Sequence, residues 1–251
     1  MALQHTDKGI PIRLHASTSE RGPALVYLHG GGWTSGSAAG SEELCVTLAE
    51  AAACTVAAVE YRLAPEHPFP AGLDDSYAAT AWLAGHAVEF AVDESRIAIG
   101  GTSAGANLAA AVALLARDRG GPALVFQLLV YPPTDHTAFA DSERGSFRRA
   151  EMNSLWAQYL PDRGDGDDPR ASPLRAPDLA GLPPALVITA EHDPLTEEAE
   201  SYARRLVEAG VAAEVRRIDG AKHGFFSSPT PQGAAARAAA ASALRSAFRG
   251  R

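Results

Sequence analysis

The chain holds only two cysteines in 251 residues, Cys45 and Cys54, and so offers neither a disulfide framework nor a thiolate set for a metal. Basic residues are in the minority too. Lys and Arg total 22 against 30 Asp and Glu, a formal charge of −8 with no long basic run, which argues against nucleic acid and anionic membranes as partners. The first eight residues, Met1 to Lys8, contain no apolar signal core, and no stretch is long enough to span a membrane, so a cytoplasmic location is expected. No internal repeat appears. The triple-glycine run at 30–32 is followed by neither Gly-Lys-Ser/Thr nor the acidic residue of a dinucleotide fingerprint, which argues against a phosphate cradle.

What is present alternates. Apolar stretches at 24–28, 55–59, 97–100, 124–130, 185–190 and 213–218 are separated by helical stretches, the pattern of an α/β protein whose mostly parallel central sheet carries helices on both faces. At 251 residues a single domain spanning 1–251 can bury a sizeable core. The Ala-rich stretch 232–251, with Arg237, Leu244 and Phe248 spaced along it, reads as a closing helix on the sheet.

Chemistry is carried first by Gly101-Thr102-Ser103-Ala104-Gly105. The residues before it end an apolar strand in two glycines, and the Ala- and Leu-rich residues 107–117 after it read as a helix. A serine at that corner sits in a tight strand-to-helix turn with its hydroxyl exposed, and the helix aims its first N–H groups at the place where negative charge develops on a tetrahedral intermediate.

A serine hydroxyl attacks only when a base removes its proton, so a histidine and an orienting acid are required. Of eight histidines, His5 and His15 lie in the N-terminal stretch, His86 ends a helical pattern and His136 lies in a polar segment. His29 and His67 sit inside turn motifs, and His192 adjoins the acid. His223, in a late loop before Gly224, is the base candidate. Asp193 is the acid candidate, just past the strand at 185–190, with Pro194-Leu195 fixing its loop and Thr196-Glu197-Glu198 opening a helix; Glu191 and Asp219 compete with it. The order Ser103, Asp193, His223 is the one found in α/β-hydrolases. In His29-Gly30-Gly31-Gly32-Trp33, the glycines can turn their N–H groups toward a substrate carbonyl, and Gly31 and Gly32 with Ala104 are the candidate oxyanion hole.

Those two motifs, with Tyr61-Arg62-Leu63-Ala64-Pro65-Glu66-His67-Pro68-Phe69-Pro70-Ala71, Asp193-Pro194-Leu195 and His223-Gly224-Phe225, resemble the hormone-sensitive-lipase-like family of α/β-hydrolases from about residue 10 onward. The resemblance implies an α/β-hydrolase fold and a serine carboxylesterase that hydrolyses short- to medium-chain acyl esters through an acyl-enzyme, without metal or organic cofactor. It also implies Ser103, Asp193 and His223 as the triad, and Gly31, Gly32 and Ala104 as the oxyanion hole. An aryl amide or formamide hydrolase with the same triad, and a non-catalytic small-molecule binding protein, are the alternatives.

Within the Tyr-Arg-Leu-Ala-Pro-Glu segment, Arg62 and Glu66 are spaced to pair across a turn stiffened by Pro65. Position 102, commonly Asp in the family, is Thr, and Ala106 stands where glycine is frequent. Only 28 residues precede His29, which leads to the expectation of a reduced cap, an open and wet acyl pocket with weak chain-length discrimination, and self-association as a homodimer through exposed apolar surface. Residues 132–184 form the partial cap insertion. In it Met152, Leu155, Trp156 and Tyr159 share one helical face, either lining the pocket or packing on the main domain. The acidic stretch 162–168 lacks the ligand spacing of a calcium loop and reads as solvated surface.

Overall fold

A computed structural model describes residues 2–16, 20–137 and 149–250. Eight strands form one sheet in the order β1-β2-β4-β3-β5-β6-β7-β8. They are β1 (Ala2–His5), β2 (Pro11–Ala16), β3 (Gly22–Leu28), β4 (Thr55–Val59), β5 (Val92–Thr102), β6 (Phe126–Val130), β7 (Ala185–His192) and β8 (Ala213–Lys222). β1 pairs with β2, and β2 with β4, antiparallel; every pairing from β4 through β8 is parallel. Central strands such as β4 and β6 are buried at every position, as parallel strands covered on both faces must be.

Alternating side chains divide the core in two. Leu25 and Tyr27 of β3 face α1 (Glu42–Ala52) and α6 (Pro231–Arg249), where Leu48, Leu244 and Phe248 pack. Val26 and Leu28 face the opposite layer of α2 (Ala71–Gly85), α3 (Ala104–Arg119) and α5 (Thr196–Glu208). α3 is buried at every residue from Ala104 to Ala116, so its Ala-rich composition reflects close packing on all sides. α6 starts where Pro231 occupies the first turn and the Thr230 hydroxyl accepts the Gly233 N–H at 3.1 Å, a cap that satisfies one of the orphan donors.

The six apolar stretches all lie within or overlap strands, and the mostly parallel α/β sheet is as expected. β1 and β2 escape the sequence pattern because the first is short and exposed and the second lies near the antiparallel edge. The insertion between β6 and β7 carries α4 (Arg149–Tyr159); the part of the expected cap at 138–148, like Met1 and Arg251, lies outside the described residues. Among those residues no helix is long and apolar enough to cross a membrane.

Two local expectations are corrected. Arg62 pairs with Asp75 and not with Glu66: its backbone N–H, Nε and Nη2 all donate to the Asp75 carboxylate at 3.0, 2.7 and 2.8 Å. Three donors converge on a buried acceptor on α2, whereas Glu66 stays exposed beyond the Pro65 turn. The acidic stretch is likewise not simply solvated, since Asp168 receives the Arg170 guanidinium and Asp167 receives Arg175.

Candidate active site

β5 ends at Thr102 and α3 begins at Ala104, so Ser103 alone makes the corner, with φ 53° and ψ −123°. A positive φ is unfavourable for a residue bearing a Cβ. It is held here by packing on both sides, the Ser103 N–H donating to Val130 O at 2.9 Å and the Ser103 carbonyl accepting from Ala106 and Asn107. Gly105 allows the helix start to touch the end of β3, since a Cβ there would lie 2.0 Å from Leu28 O.

The expected base and acid meet this serine. The Ser103 Oγ lies 3.0 Å from Nε2 of His223, the first residue after β8, and Nδ1 of that ring lies 2.6 Å from Asp193 Oδ2. Asp193, buried just past β7, accepts the Leu195 N–H on its other oxygen at 3.0 Å. Two of its oxygen contacts thus hold the carboxylate in one orientation. Of the competing acids, Glu191 accepts the Gly220 N–H at 2.7 Å and is thereby engaged in tying the end of β7 to that of β8. Tyr131, after β6, packs its ring 4.5 Å from that of His223, and against Phe225 beyond.

Around the serine, Gly31, Gly32 and Ala104 line a cleft of about 600 Å³. Among the described residues the Gly31 and Gly32 N–H groups donate to no backbone or side-chain acceptor. Ala104 is the first residue of α3, whose N–H has no carbonyl a turn behind it. The loop is shaped by Gly31 at φ 128°, where a Cβ would lie 2.1 Å from Ser35 O. Thr102 meets a neutral partner, its hydroxyl 3.1 Å from the Tyr27 hydroxyl.

The insertion helix serves both expected purposes. Met152 and Leu155 line the cleft, and Trp156 and Tyr159 pack on Trp33 with ring centroids 4.3 and 4.5 Å apart. Asn107 links the same pieces: its amide donates to Pro133 O at 2.9 Å and Ala171 O at 2.8 Å, and its oxygen accepts from Trp33 Nε1 at 3.3 Å. The sequence alone assigns no individual role to Asn107, Tyr61, Tyr131 or Glu198. For Asn107 a signal existed: it is a lone amide, four residues after the serine, in a helix otherwise built of Ala and Leu at that point.

A family profile described as an alpha/beta hydrolase fold matches residues 25–227. The chain is 41% identical over 255 aligned positions to a carboxylesterase, NlhH, of Mycobacterium tuberculosis, covering 95% of this chain and 79% of that protein. It is 37% identical over 237 positions to an arylesterase of Saccharolobus solfataricus, covering 91% and 77%. A solved esterase from Pyrobaculum calidifontis superposes with a TM-score of 0.92 at 38% identity, over 98% of this chain and 84% of that one.

Proposed function

The chain belongs to the alpha/beta hydrolase fold family, and from this premise we propose a serine carboxylesterase in which Ser103 is the nucleophile, His223 the base and Asp193 its orienting acid. The observation that carries the assignment is the unbroken hydrogen-bonded line from Ser103 Oγ through both His223 nitrogens to Asp193 Oδ2, at 3.0 and 2.6 Å.

In this mechanism Ser103 Oγ attacks the ester carbonyl carbon as His223 Nε2 takes the hydroxyl proton. Asp193 holds the ring and stabilises its charged form. The carbonyl oxygen becomes an oxyanion received by the N–H groups of Gly31, Gly32 and Ala104. Collapse of the tetrahedral intermediate breaks the bond to the alcohol oxygen, which takes the proton from His223. Water, deprotonated by the same nitrogen, then attacks the acyl-enzyme and releases the acid and free Ser103.

The substrates are small esters with short to medium acyl chains, and residues 132–184 act as a partial cap over them. A cytoplasmic location and homodimeric assembly extend the reading. The buried free thiols of Cys45 and Cys54 support the first, and the edge strand β8, whose outer side has no partner strand among the described residues and which carries the exposed Val215, supports the second.

The test is hydrolysis of p-nitrophenyl acetate, butyrate and octanoate by the wild type and Ser103→Ala, with an aryl formamide beside them. Ester turnover falling by about 10⁴-fold or more in the variant is expected. A variant as active as wild type removes Ser103 from the chemistry, and faster turnover of the formamide makes the protein an amide hydrolase.

A further inference from the structure

The two sides of the cleft differ in chemistry. On one side stand Pro133 and the α4 residues Met152 and Leu155, Met152 buried in the core layer shared with α2 and α3, and Leu155 packed against it. On the other side, the loop between β3 and α1 brings Ser35, Ser37 and Ser41 to the cleft, and the turn after His223 brings Ser227. Ala38 and Phe226, neighbours of these serines, belong to the opposite core layer of α1 and α6. Among the described residues no Asp, Glu, Lys or Arg lines the cleft, although such residues make up 21% of the chain.

The hydroxyls are arranged in complementary senses. Ser35 donates its proton to Gly31 O at 2.9 Å and Ser41 donates to Ser37 O at 3.3 Å, so the hydroxyl oxygens of both remain as acceptors. Ser37 Oγ accepts the Gly40 N–H at 2.9 Å and keeps its own proton to give. A wall that both donates and accepts, and carries no charge, matches hydroxyl groups, which do the same. An anionic or cationic alcohol part would find no counter-charge among these described lining residues.

The direction of proton transfer decides which half of the substrate meets this wall. His223 must return its proton to the leaving alcohol oxygen, so the alcohol lies on the His223 side of the carbonyl. The His223 ring rests on Tyr131, part of the α1/α6 layer, to which Ala38 beside Ser37 and Phe226 beside Ser227 also belong. The acyl group then points to the opposite side, against Leu155, Met152 and Pro133.

We propose that the enzyme selects neutral esters whose alcohol part carries further free hydroxyl groups, such as a monoester of glycerol or of a sugar, with a short apolar acyl chain. The proposal rests on the carboxylesterase reading above. The probes are 2,3-dihydroxypropyl butyrate and propyl butyrate, which share an acyl group and a chain length and differ in two hydroxyls.

Two added hydrogen bonds predict a kcat/KM roughly tenfold higher for the dihydroxy ester in the wild type. In the double variant Ser37→Ala, Ser41→Ala the ratio is expected to fall to about three, the loss of one of the two bonds. Because Ser37 also holds the Gly40 N–H, Ser227→Ala on the other loop gives a second reading, with the ratio reduced about threefold. Equal kcat/KM for the two esters in the wild type overturns the proposal, as does a ratio that both variants leave intact. p-Nitrophenyl butyrate keeps the two levels apart. If it is hydrolysed while the ratio is one, only the alcohol-side assignment fails; if it is not hydrolysed, the esterase reading fails with it.

Discussion

The His29 ring lies buried beside the glycine loop, stacked on Tyr61 at 4.2 Å between centroids and 12° between planes. Burial holds its pKa below the ordinary histidine value, so the ring is neutral and one nitrogen carries a proton. Nδ1 lies 2.9 Å from Gly30 O and is the donor. In a trans peptide the carbonyl and the following N–H point in opposite directions. A Gly30 carbonyl directed at His29 therefore directs the Gly31 N–H away from the ring, and Gly31 lines the cleft. In the proposed mechanism His29 is a positioning residue for the Gly31 donor of the oxyanion hole. Since such donors act in the transition state more than in the ground state, His29→Ala should lower kcat by about 10- to 100-fold with KM changed less than about threefold. His29→Gln, which retains an N–H, should recover part of the loss. A purely structural ring would instead lower the unfolding midpoint and leave kcat per folded molecule intact.

At the scale of elements, α4 divides its work between two faces. Trp156 and Tyr159 are buried against Trp33, the residue after the glycine loop, while Leu155 reaches the cleft so closely that a Cβ on Gly32 would lie 2.7 Å from its methyl groups. The same helix thus braces the loop and limits the acyl side. Leu155→Ala should raise the octanoate-to-butyrate ratio of kcat/KM by about fivefold, from the added room for a few methylenes. Tyr159→Ala should cost about 3 kcal/mol of stability in urea titration without that shift. An unchanged chain-length profile in Leu155→Ala would remove α4 from the acyl side. This division of faces was only half legible in the sequence. The spacing of Met152, Leu155, Trp156 and Tyr159 revealed one apolar stripe, but which members pack and which face a substrate depends on Trp33, far away in the chain. The nucleophile corner and the strand ends could be read directly because each is set by neighbours within a few residues, whereas the candidate triad was legible through the chain order of Ser103, Asp193 and His223. The Arg62 partner could not. Glu66 sits at turn spacing, yet the carboxylate that takes the guanidinium is Asp75 on α2, brought close only by the tertiary fold.

For the molecule as a whole, buried titratable groups make stability depend on pH in two opposite senses. His15 and His29 are held below the ordinary histidine value by burial, so their unfolded forms bind protons first and stability is lost as pH falls below about 6.5. Glu198 works the other way. It lies buried at the start of α5, where its Oε2 accepts the Asp135 N–H at 3.0 Å and secures the chain after β6 to the helix that follows Asp193. Burial pushes its pKa well above the usual carboxylate range, the nearby Asp135 and Asp193 add to the rise, and the backbone N–H groups of Thr134 and Asp135 oppose it. A raised folded-state pKa means that the unfolded chain loses this proton first. The contribution of Glu198 to stability is therefore complete below about pH 4.3 and declines as pH rises toward its folded pKa, with a limiting slope of about 1.4 kcal/mol per pH unit. Glu198→Gln keeps an acceptor for the Asp135 N–H and removes the titration. Comparing the variant with wild type by urea titration at pH 5, 6, 7 and 8 cancels the shared histidine contributions, because those groups are present in both proteins. The variant should gain on the wild type steadily as pH rises. A stability difference that stays constant from pH 5 to 8 would mean that Glu198 ionises inside the folded protein as readily as in the unfolded chain, its two backbone donors outweighing the cost of burying the charge.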